Sequence, residues 1–323
     1  MTVETLTKIK GGRILITGGA GFIGSLVAGQ LLDDNEVVVL DSMHRDALSS
    51  RPFSGHPNLD LIQGDILDVE IVKEVAQGCT HIVHCAAVAG IDTVIKSPVT
   101  TMRVNILGSA NVLEAASSCK NIERVVCFST SEIFGQRAFR SSEKDLAVTG
   151  SVGEARWTYA VSKLAEEHLA LAYYTEKEMP VVVVRPFNVY GPGQVGEGAM
   201  RLFIERALRE ETIYIHGTGS QIRAWCYVDD MVNGVMLALT HSEAVGESFN
   251  IGNERAVTTI YGLANTIVRV TGSNSKIEFV EQTHADVELR IPQIEKAKDL
   301  LGFEAEVDLE EGIKRTAEWM ENK

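Results

Sequence analysis

A tyrosine and a lysine four residues apart, Tyr159 and Lys163 in the segment YAVSK, are the residues whose types and spacing most directly indicate chemistry. Residues at this spacing lie on one face of a helix, so both side chains can reach the same space. A neighbouring ammonium favours the phenolate form of tyrosine and lowers its pKa. The pair therefore predicts a base that removes the proton of a substrate hydroxyl group.

A glycine-rich segment, RILITGGAGFIG, predicts a dinucleotide site. Gly18 permits a tight turn, and Gly21 lets the backbone approach a pyrophosphate at the positive N-terminus of the next helix. Asp41 ends the following strand pattern, where its carboxylate accepts hydrogen bonds from ribose hydroxyls and repels the 2′-phosphate of NADP. A glycine turn of purely structural use is the alternative. The residues predicted to contact NAD are Gly18, Gly21, Phe22, Ile23, Gly24, Asp41, Asp65, Ile66, Ala86 and Ala87, with Tyr159 and Lys163.

The elements that must position these residues alternate regularly from residue 13 onward. Helix-period spacing predicts helices over residues 103–119 and 159–175. Continuous β-branched runs are typical of strands buried on both faces. The pattern therefore predicts an α/β fold, a doubly wound parallel sheet of the Rossmann type. The strand runs are RILIT, EVVVLD, LDLIQGD, HIVHCAA, RVVCFST and PVVVVRPF.

Two closely packed domains are expected, because no linker or low-complexity tract interrupts the chain. Residues 1–185 are predicted to form the NAD-binding Rossmann domain. Residues 186–323 are predicted to form mainly a smaller α/β substrate domain, with parts near 225–255 returning to the first domain.

Composition narrows the possible partners and location. The formal charge of −14 disfavours nucleic acid, whose binding depends on basic patches. No apolar run approaches the roughly 20 residues of a membrane span, and no secretory signal is recognisable, so a cytoplasmic location without membrane association is expected. The five cysteines form no CxxC pair and predict no disulfide framework. No metal site is expected either, because His81, His84 and Cys85 would alternate between the faces of a strand.

Five motifs in sequence order, TGGAGFIG, HCAAVAG, FSTSEIFG, YAVSK and RPFNVYGPG, resemble those of the extended short-chain dehydrogenase/reductases over essentially the whole chain. The resemblance implies a Rossmann fold that binds NAD, a nucleotide-sugar substrate and a homodimer formed through two helices of each subunit. It also implies that Thr130 hydrogen-bonds the reacting hydroxyl group. Asn188 and Arg223 would hold the nucleotide diphosphate.

Three local features resemble the UDP-glucuronate decarboxylases of this family. Ser131 and Glu132 stand where sugar-nucleotide 4,6-dehydratases carry Asp and Glu, and a serine hydroxyl is a poor acid for protonating a leaving group. Arg156 precedes the tyrosine of YAVSK by three residues, and Arg290 lies in the segment ELRIPQ. In those decarboxylases the serine and the glutamate after the threonine, and the arginine of a DxxxRxP stretch that matches DVELRIP here, belong to the active site.

The predicted activity is therefore NAD-dependent decarboxylation of UDP-glucuronate. Oxidation at carbon 4 leaves a ketone β to the carboxylate, and such an acid loses carbon dioxide readily. Arg290 would bind the substrate carboxylate through two hydrogen bonds or serve the proton transfer. Reduction of the ketone gives a UDP-pentose, and its escape gives the 4-keto pentose. The predicted catalytic residues are Thr130, Ser131, Glu132, Tyr159, Lys163 and Arg290, and the predicted substrate-binding residues are Arg156, Asn188, Arg223 and Arg290.

Alternatives stand beside this interpretation. A UDP-sugar 4-epimerase would use the same tyrosine, lysine and NAD but no carboxylate-binding arginine, and a pure cofactor-binding protein would need no proton-transfer group. Arg290 could pair with a surface acid, Arg156 could fix the loop before the catalytic helix, and Glu132 could be a solvated loop residue. The loop GPGQVGEG also lacks the arginine that often follows Gly-Pro in the decarboxylases.

Overall fold

The computed structural model describes residues 8–196, 198–282 and 287–322, in which strands and helices alternate along the chain. The strands are β1 (Arg13–Thr17), β2 (Glu36–Asp41), β3 (Leu59–Gln63), β4 (His81–His84), β5 (Arg124–Phe128), β6 (Arg137–Ser141), β7 (Val181–Pro186), β8 (Val189–Tyr190), β9 (Ile213–His216), β10 (Ile222–Ala224), β11 (Cys226–Tyr227), β12 (Ser248–Ile251), β13 (Val257–Thr259), β14 (Ile277–Val280) and β15 (Leu289–Pro292). The helices are α1 (Phe22–Leu31), α2 (Val69–Ala76), α3 (Ile91–Lys96), α4 (Pro98–Met102), α5 (Ser109–Ser117), α6 (Thr158–Lys177), α7 (Ala199–Leu208), α8 (Val228–Thr240), α9 (Ile260–Thr271), α10 (Glu295–Leu301) and α11 (Leu309–Glu321).

A seven-stranded parallel sheet in the order β12-β7-β5-β4-β1-β2-β3 forms the centre of the fold. The apolar runs of β1, β2, β5 and β7 are buried between helices, which confirms the predicted α/β fold of the Rossmann type. Burial on both faces does not extend to β3, because it is the edge strand and Leu61 is exposed. From β1 the strands are added toward one edge as β2 and β3, and from β4 onward they are added toward the other edge. Ligands of such sheets bind in the crevice between the two strands where this order changes, here β1 and β4.

Three smaller sheets form beside the large one, in the orders β13-β10-β15-β6, β11-β8 and β14-β9. Strand β6 comes from the first half of the chain and pairs with β15 near its end. Strand β12, from the second half of the chain, joins the large sheet, where it pairs in parallel with β7. The division into domains at residue 185 stays a prediction, but these pairings show how segments distant in sequence are interleaved in space.

The helix predicted over residues 103–119 contains a segment that the apolar periodicity did not reveal. Residues Arg103–Gly108 are π-helical and join α4 to α5, which ends at Ser117. Gly108 packs so closely on Ile66 that a Cβ atom would lie 2.3 Å from the Ile66 side chain. π-Helical turns are frequent at functional sites, and this one packs against a residue predicted to lie beside the adenine.

Within the described ranges, none of the helices has the length and apolar character needed to span a bilayer. The five cysteines all carry free thiols, consistent with their spacing in the sequence.

Candidate active site

A cleft of about 850 Å³ opens at the carboxyl ends of β1, β2 and β4. It therefore lies at the crevice between β1 and β4, where the order of the strands in the sheet changes. The structure brings most of the residues predicted for NAD together around it, namely Gly18, Gly21, Phe22, Ile23, Gly24, Asp41, Asp65, Ile66, Ala86 and Ala87. Tyr159 and Lys163, which complete the prediction, stand on α6 outside this lining.

The turn between β1 and α1 and the first turn of α1 have no room for a side chain at two of their glycines. Gly18 has a φ of +70°, and a Cβ atom there would lie 2.6 Å from the backbone nitrogen of Ala86. A Cβ atom on Gly24 would lie 2.5 Å from the Gly18 carbonyl oxygen. Helix α1 begins at Phe22, and no side chain caps its first N–H groups. Because such groups bind anions, this cradle fits the diphosphate of NAD.

The Asp41 carboxylate at the end of β2 is held by the backbone. It accepts hydrogen bonds from the N–H groups of Ala20, at 3.0 Å, and Met43, at 2.8 Å. Burial raises the pKa of Asp41, and these two hydrogen bonds oppose that shift. The carboxylate is therefore fixed at the side of the cleft where ribose hydroxyls of a bound dinucleotide would meet it.

Tyr159 stands in the first turn of α6, and its surroundings correct one expectation. Burial raises the pKa of Tyr159, the charges of Glu132 and Glu166 raise it further, and a hydrogen bond with Thr130 and the charge of Arg290 lower it. The pKa of Tyr159 is thus raised, whereas the spacing of the tyrosine and lysine predicts that it is lowered. The Lys163 ammonium, expected to lower it, lies 2.5 Å from a Glu166 carboxylate oxygen, which offsets its charge.

Glu166 is a residue that the sequence analysis missed. It lies one helical turn beyond Lys163 on α6, and both side chains are 1% exposed. The three-residue spacing was a usable signal, because residues at i and i+3 share a helix face. Burial of the pair could not be predicted from that spacing, since it depends on the packing of α6 on the large sheet.

Glu132 lies between two of the predicted arginines. Nη1 of Arg156 donates to its Oε2 atom at 2.6 Å, and Nη1 of Arg290 lies 3.8 Å from its Oε1 atom. Burial raises the pKa of Glu132, but the charges of Arg156, Arg290 and Arg223 outweigh that effect and lower it. The carboxylate is therefore ionised and bound by guanidinium groups next to Tyr159, whose pKa both Glu132 and Arg290 influence.

These contacts decide the alternatives left open for the three residues. Arg290 is 3% exposed and is therefore not a surface residue, and its Nη2 atom donates to the Gly135 carbonyl at 2.8 Å. Glu132 is partly buried and ion-paired rather than solvated. Arg156 does fix the loop before α6, and it does so through Glu132 itself.

Thr130 and Ser131 follow β5 and lead into a short helical turn, Ser131–Phe134. The Thr130 hydroxyl accepts a hydrogen bond from the Glu132 N–H at 3.2 Å and also bonds the Tyr159 side chain. Ser131 is buried beside it. The structure therefore gathers the predicted catalytic threonine, glutamate, tyrosine and arginine in one region.

The two residues predicted for the diphosphate make backbone contacts. The Asn188 side chain donates to the Ala224 carbonyl at 2.8 Å, and Asn188 itself has a φ of +38°. Arg223 is buried, donates to the Val287 carbonyl and lies opposite Arg290 in the pairing of β10 with β15. These contacts fix where the two residues stand, and their role toward a diphosphate stays a prediction.

The loop after β8 lacks an arginine of its own, but a guanidinium reaches it from another segment. Arg51, which follows β2 along the chain, lies against Gly193, where a Cβ atom would be 2.5 Å from Nη2. Its Nη1 atom donates to the Pro192 carbonyl at 3.5 Å, and its Nε atom donates to the Ser25 hydroxyl at 3.2 Å. Arg51 thus ties this loop to α1, a contact that no local motif predicts.

Comparison with known proteins extends over nearly the whole chain. Residues 14–252 match the NAD dependent epimerase/dehydratase family. The UDP-N-acetyl-alpha-D-glucosaminuronate decarboxylase of Bacillus cytotoxicus is 33% identical, covering 95% of this chain and 97% of that protein. The UDP-glucuronic acid decarboxylase 1 of Xenopus tropicalis is 34% identical, covering 97% of this chain and 73% of that protein.

Among solved structures, the UDP-glucuronic acid 4-epimerase from Bacillus cereus, in complex with UDP-glucuronic acid and NAD, is similar with a TM-score of 0.86. It is 27% identical, and the match covers 96% of this chain and 99% of that one. The family match, over residues 14–252, spans both the glycine turn after β1 and helix α6.

Proposed function

Because the chain belongs to the NAD dependent epimerase/dehydratase family, we propose that it decarboxylates a UDP-linked hexuronic acid, with UDP-glucuronate as substrate. It is an NAD-dependent enzyme of the extended short-chain dehydrogenase/reductase type, as its motifs predict. The two decarboxylase relatives support the acid substrate class.

The observation that carries the proposal is the buried guanidinium of Arg290 beside Tyr159 and Glu132. Arg290 is 3% exposed and close enough to Tyr159 to lower its pKa. A sugar whose carbon 4 hydroxyl meets the tyrosine would therefore present its carbon 6 substituent to a cationic region. A planar guanidinium binds a carboxylate through two parallel hydrogen bonds, which also fix its orientation.

The chemistry follows from these positions. NAD, when bound, supplies the hydride acceptor for carbon 4. Tyr159 removes the proton of the carbon 4 hydroxyl, and Thr130 holds the same oxygen by a hydrogen bond. The resulting ketone is β to the carboxylate, so the bond between carbons 5 and 6 breaks, its electron pair enters an enolate, and carbon dioxide leaves. Protonation at carbon 5 completes the step.

Glu132 favours the departure of carbon dioxide. Its ionised carboxylate is bound by Arg156 and lies 3.8 Å from Arg290, so a substrate carboxylate at Arg290 would experience a second negative charge nearby. Loss of carbon dioxide removes that repulsion by converting the anion into a neutral molecule. Glu132 therefore acts on the charged ground state of the substrate.

The second candidate is a UDP-sugar 4-epimerase, which needs the same proton transfer at Tyr159. The Bacillus cereus neighbour supports it, because that 4-epimerase was crystallised with UDP-glucuronic acid and NAD. Binding of the acid alone thus does not separate the two activities, and the products must be identified.

The test is to incubate the purified protein with NAD and UDP-glucuronate and to resolve the products by mass and proton NMR. We expect a UDP-pentose or its 4-keto form. A parallel reaction with UDP-N-acetylglucosaminuronate tests whether an acetamido group at carbon 2 is preferred. UDP-galacturonate as the product, with the carboxylate retained, would reject the decarboxylase in favour of the epimerase.

We further propose that the enzyme is a homodimer with a cytoplasmic location. The dimer would form through two helices of each subunit. One is the continuous helical segment of residues 98–117, which contains α4, the π-helical turn and α5 and is called the α4–α5 rod, and the other is α6. Apolar side chains on these helices face outward, with Val99 at 72%, Leu107 at 49% and Val161 at 38% exposure. Burial of such side chains against a second copy would stabilise the assembly.

A further inference from the structure

The proposed reaction gives no role to Glu166, a buried carboxylate that is ion-paired with Lys163. Glu166 accepts a hydrogen bond from the Lys163 ammonium at 2.5 Å, and both side chains are 1% exposed. Its second carboxylate oxygen, Oε1, is buried and lies 3.9 Å from the His84 ring. Burial raises the pKa of Glu166, and the Lys163 ammonium and the Ser109 hydroxyl, which both hydrogen-bond the carboxylate, oppose that shift. Removing two charges from water is unfavourable by several kcal/mol per ion before their attraction is counted. A fully buried pair beside the catalytic tyrosine therefore calls for a functional explanation.

The other groups that face Glu166 cannot balance its charge. His84, on β4, lies 3.9 Å from Glu166 Oε1 and is hydrogen-bonded to the hydroxyls of Thr17 and Ser109. Burial lowers the pKa of His84 to about 3, and the charge of Lys163 contributes, so the imidazole is neutral.

The other ionisable side chains around Glu166 are either uncharged or paired elsewhere. Burial raises the pKa of the Cys85 and Cys127 thiols, which are therefore uncharged at neutral pH. The adjacent Glu167 is directed to Arg185, to which it is bonded at 2.6 Å. Among the residues described, Lys163 is the cation that contacts the Glu166 carboxylate.

We propose that Glu166 is a positioning residue that holds the Lys163 ammonium near Tyr159, offsets its charge, and so sets the pH range in which Tyr159 acts as a base. The inference rests on the Tyr159 proton transfer of the proposed function but not on decarboxylation. An ammonium has three N–H donors, so the bond to Glu166 leaves two for other partners.

The electrostatic consequence has a definite sign. An isolated ammonium favours the phenolate, whereas an ammonium paired with a carboxylate has a much weaker field beyond the pair. The charge of Glu166 itself also disfavours the phenolate. Neutralising Glu166 should therefore lower the pKa of Tyr159. Because the base must be deprotonated to act, the rate falls below that pKa, and a lower pKa extends activity toward acid.

The test is the pH profile of sugar oxidation by the holoenzyme with Glu166→Gln, followed as NADH formation at 340 nm in single turnovers. We expect the acid limb of the profile, the pH range over which the rate falls as the base is protonated, to move down by about one pH unit. This is the lower end of the range of pKa shifts that a nearby charge causes. Glu166→Ala should move the limb in the same direction. A limb that stays where it is in both variants, or failure of both to fold, would assign Glu166 a purely structural role and overturn the proposal.

The matched control is Glu167→Gln, which removes the neighbouring buried carboxylate. We expect this variant to lose thermal stability, because Arg185 is left without its acid, and to keep the wild-type acid limb. Running each profile with UDP-glucose as well as UDP-glucuronate separates the two proposals. Absence of carbon dioxide would refute the decarboxylase, whereas an unchanged limb refutes only the role of Glu166.

Discussion

At the scale of single residues, the site is organised by how guanidinium groups surround one carboxylate. Arg156 and Arg290 both contact Glu132, and Arg223 lies opposite Arg290 in the adjacent strand. Burial alone would raise the pKa of Glu132, and the three arginines reverse that effect. The arrangement keeps a fixed negative charge beside the buried guanidinium of Arg290, to which the proposed acid substrate would bind.

Arg290→Ala tests this arrangement. We expect release of carbon dioxide to fall by about 100-fold or more, the scale seen when one charge-stabilising donor is removed from an active site. NAD should stay bound, because Arg290 does not line the cofactor cleft. Carbon dioxide is measured directly, and bound NAD is measured after the protein is denatured.

The control for that variant is Arg137→Ala on neighbouring strand β6. Arg137 is largely exposed and pairs with Glu288, so its removal should leave both readouts near wild type. If Arg290→Ala behaves like Arg137→Ala, the guanidinium at position 290 has no part in the reaction.

Most residues of the site could be predicted from the sequence because they lie in short motifs with a fixed geometry. Glu166 was missed although it lies only three residues from Lys163, since its importance comes from burial against His84 on β4. Arg51 was missed because the loop that it contacts, at Pro192, lies 141 residues further along the chain. Partners of this kind depend on tertiary packing, which local patterns do not encode.

At the scale of elements, the turn from β1 to α1 determines whether the dinucleotide can approach the backbone. A Cβ atom at position 18 would meet the backbone of Ala86, which cannot move as a flexible side chain can. Helix α6 was predictable from periodicity over residues 159–175, whereas the π-helical segment before α5 was not, because α- and π-helical turns present similar apolar spacing.

Gly18→Ala should abolish retention of NAD and lower the unfolding temperature. A suitable comparison is Gly11→Ala, since Gly11 has a similar φ of +67° but nothing within 4 Å of the added carbon. Both variants carry about 1–2 kcal/mol of backbone strain, and only Gly18→Ala adds a clash. Equal NAD content and equal melting temperatures in the two variants would show that the close approach at Gly18 is unimportant.

At the scale of the whole molecule, the four-stranded sheet beside the Rossmann sheet is assembled from strands that are distant in sequence. Strands β6, β10, β13 and β15 form one sheet, although they span residues 137 to 292. The Rossmann part was predictable because its strands alternate with helices in order. The smaller sheet was not, since its pairings follow no local rule.

The proposed homodimer belongs to this scale, and sedimentation analysis of the wild-type protein should give twice the mass of the chain. Leu107→Lys should shift the mass to that of a monomer, because it places a charge among the exposed apolar residues of the α4–α5 rod. Phe279→Lys on β14, where Phe279 is 53% exposed, should leave the dimer intact. A monomeric wild-type protein would refute the assembly.

The central claim is that the carboxylate carbon of the sugar leaves as carbon dioxide, and tracing that carbon tests it most directly. The purified enzyme with NAD would be given UDP-glucuronate labelled with carbon-13 at carbon 6, and labelled carbon dioxide would be quantified against nucleotide sugar consumed. We expect one labelled carbon dioxide for each substrate molecule consumed. Label retained in a nucleotide sugar, with substrate consumed, would contradict it.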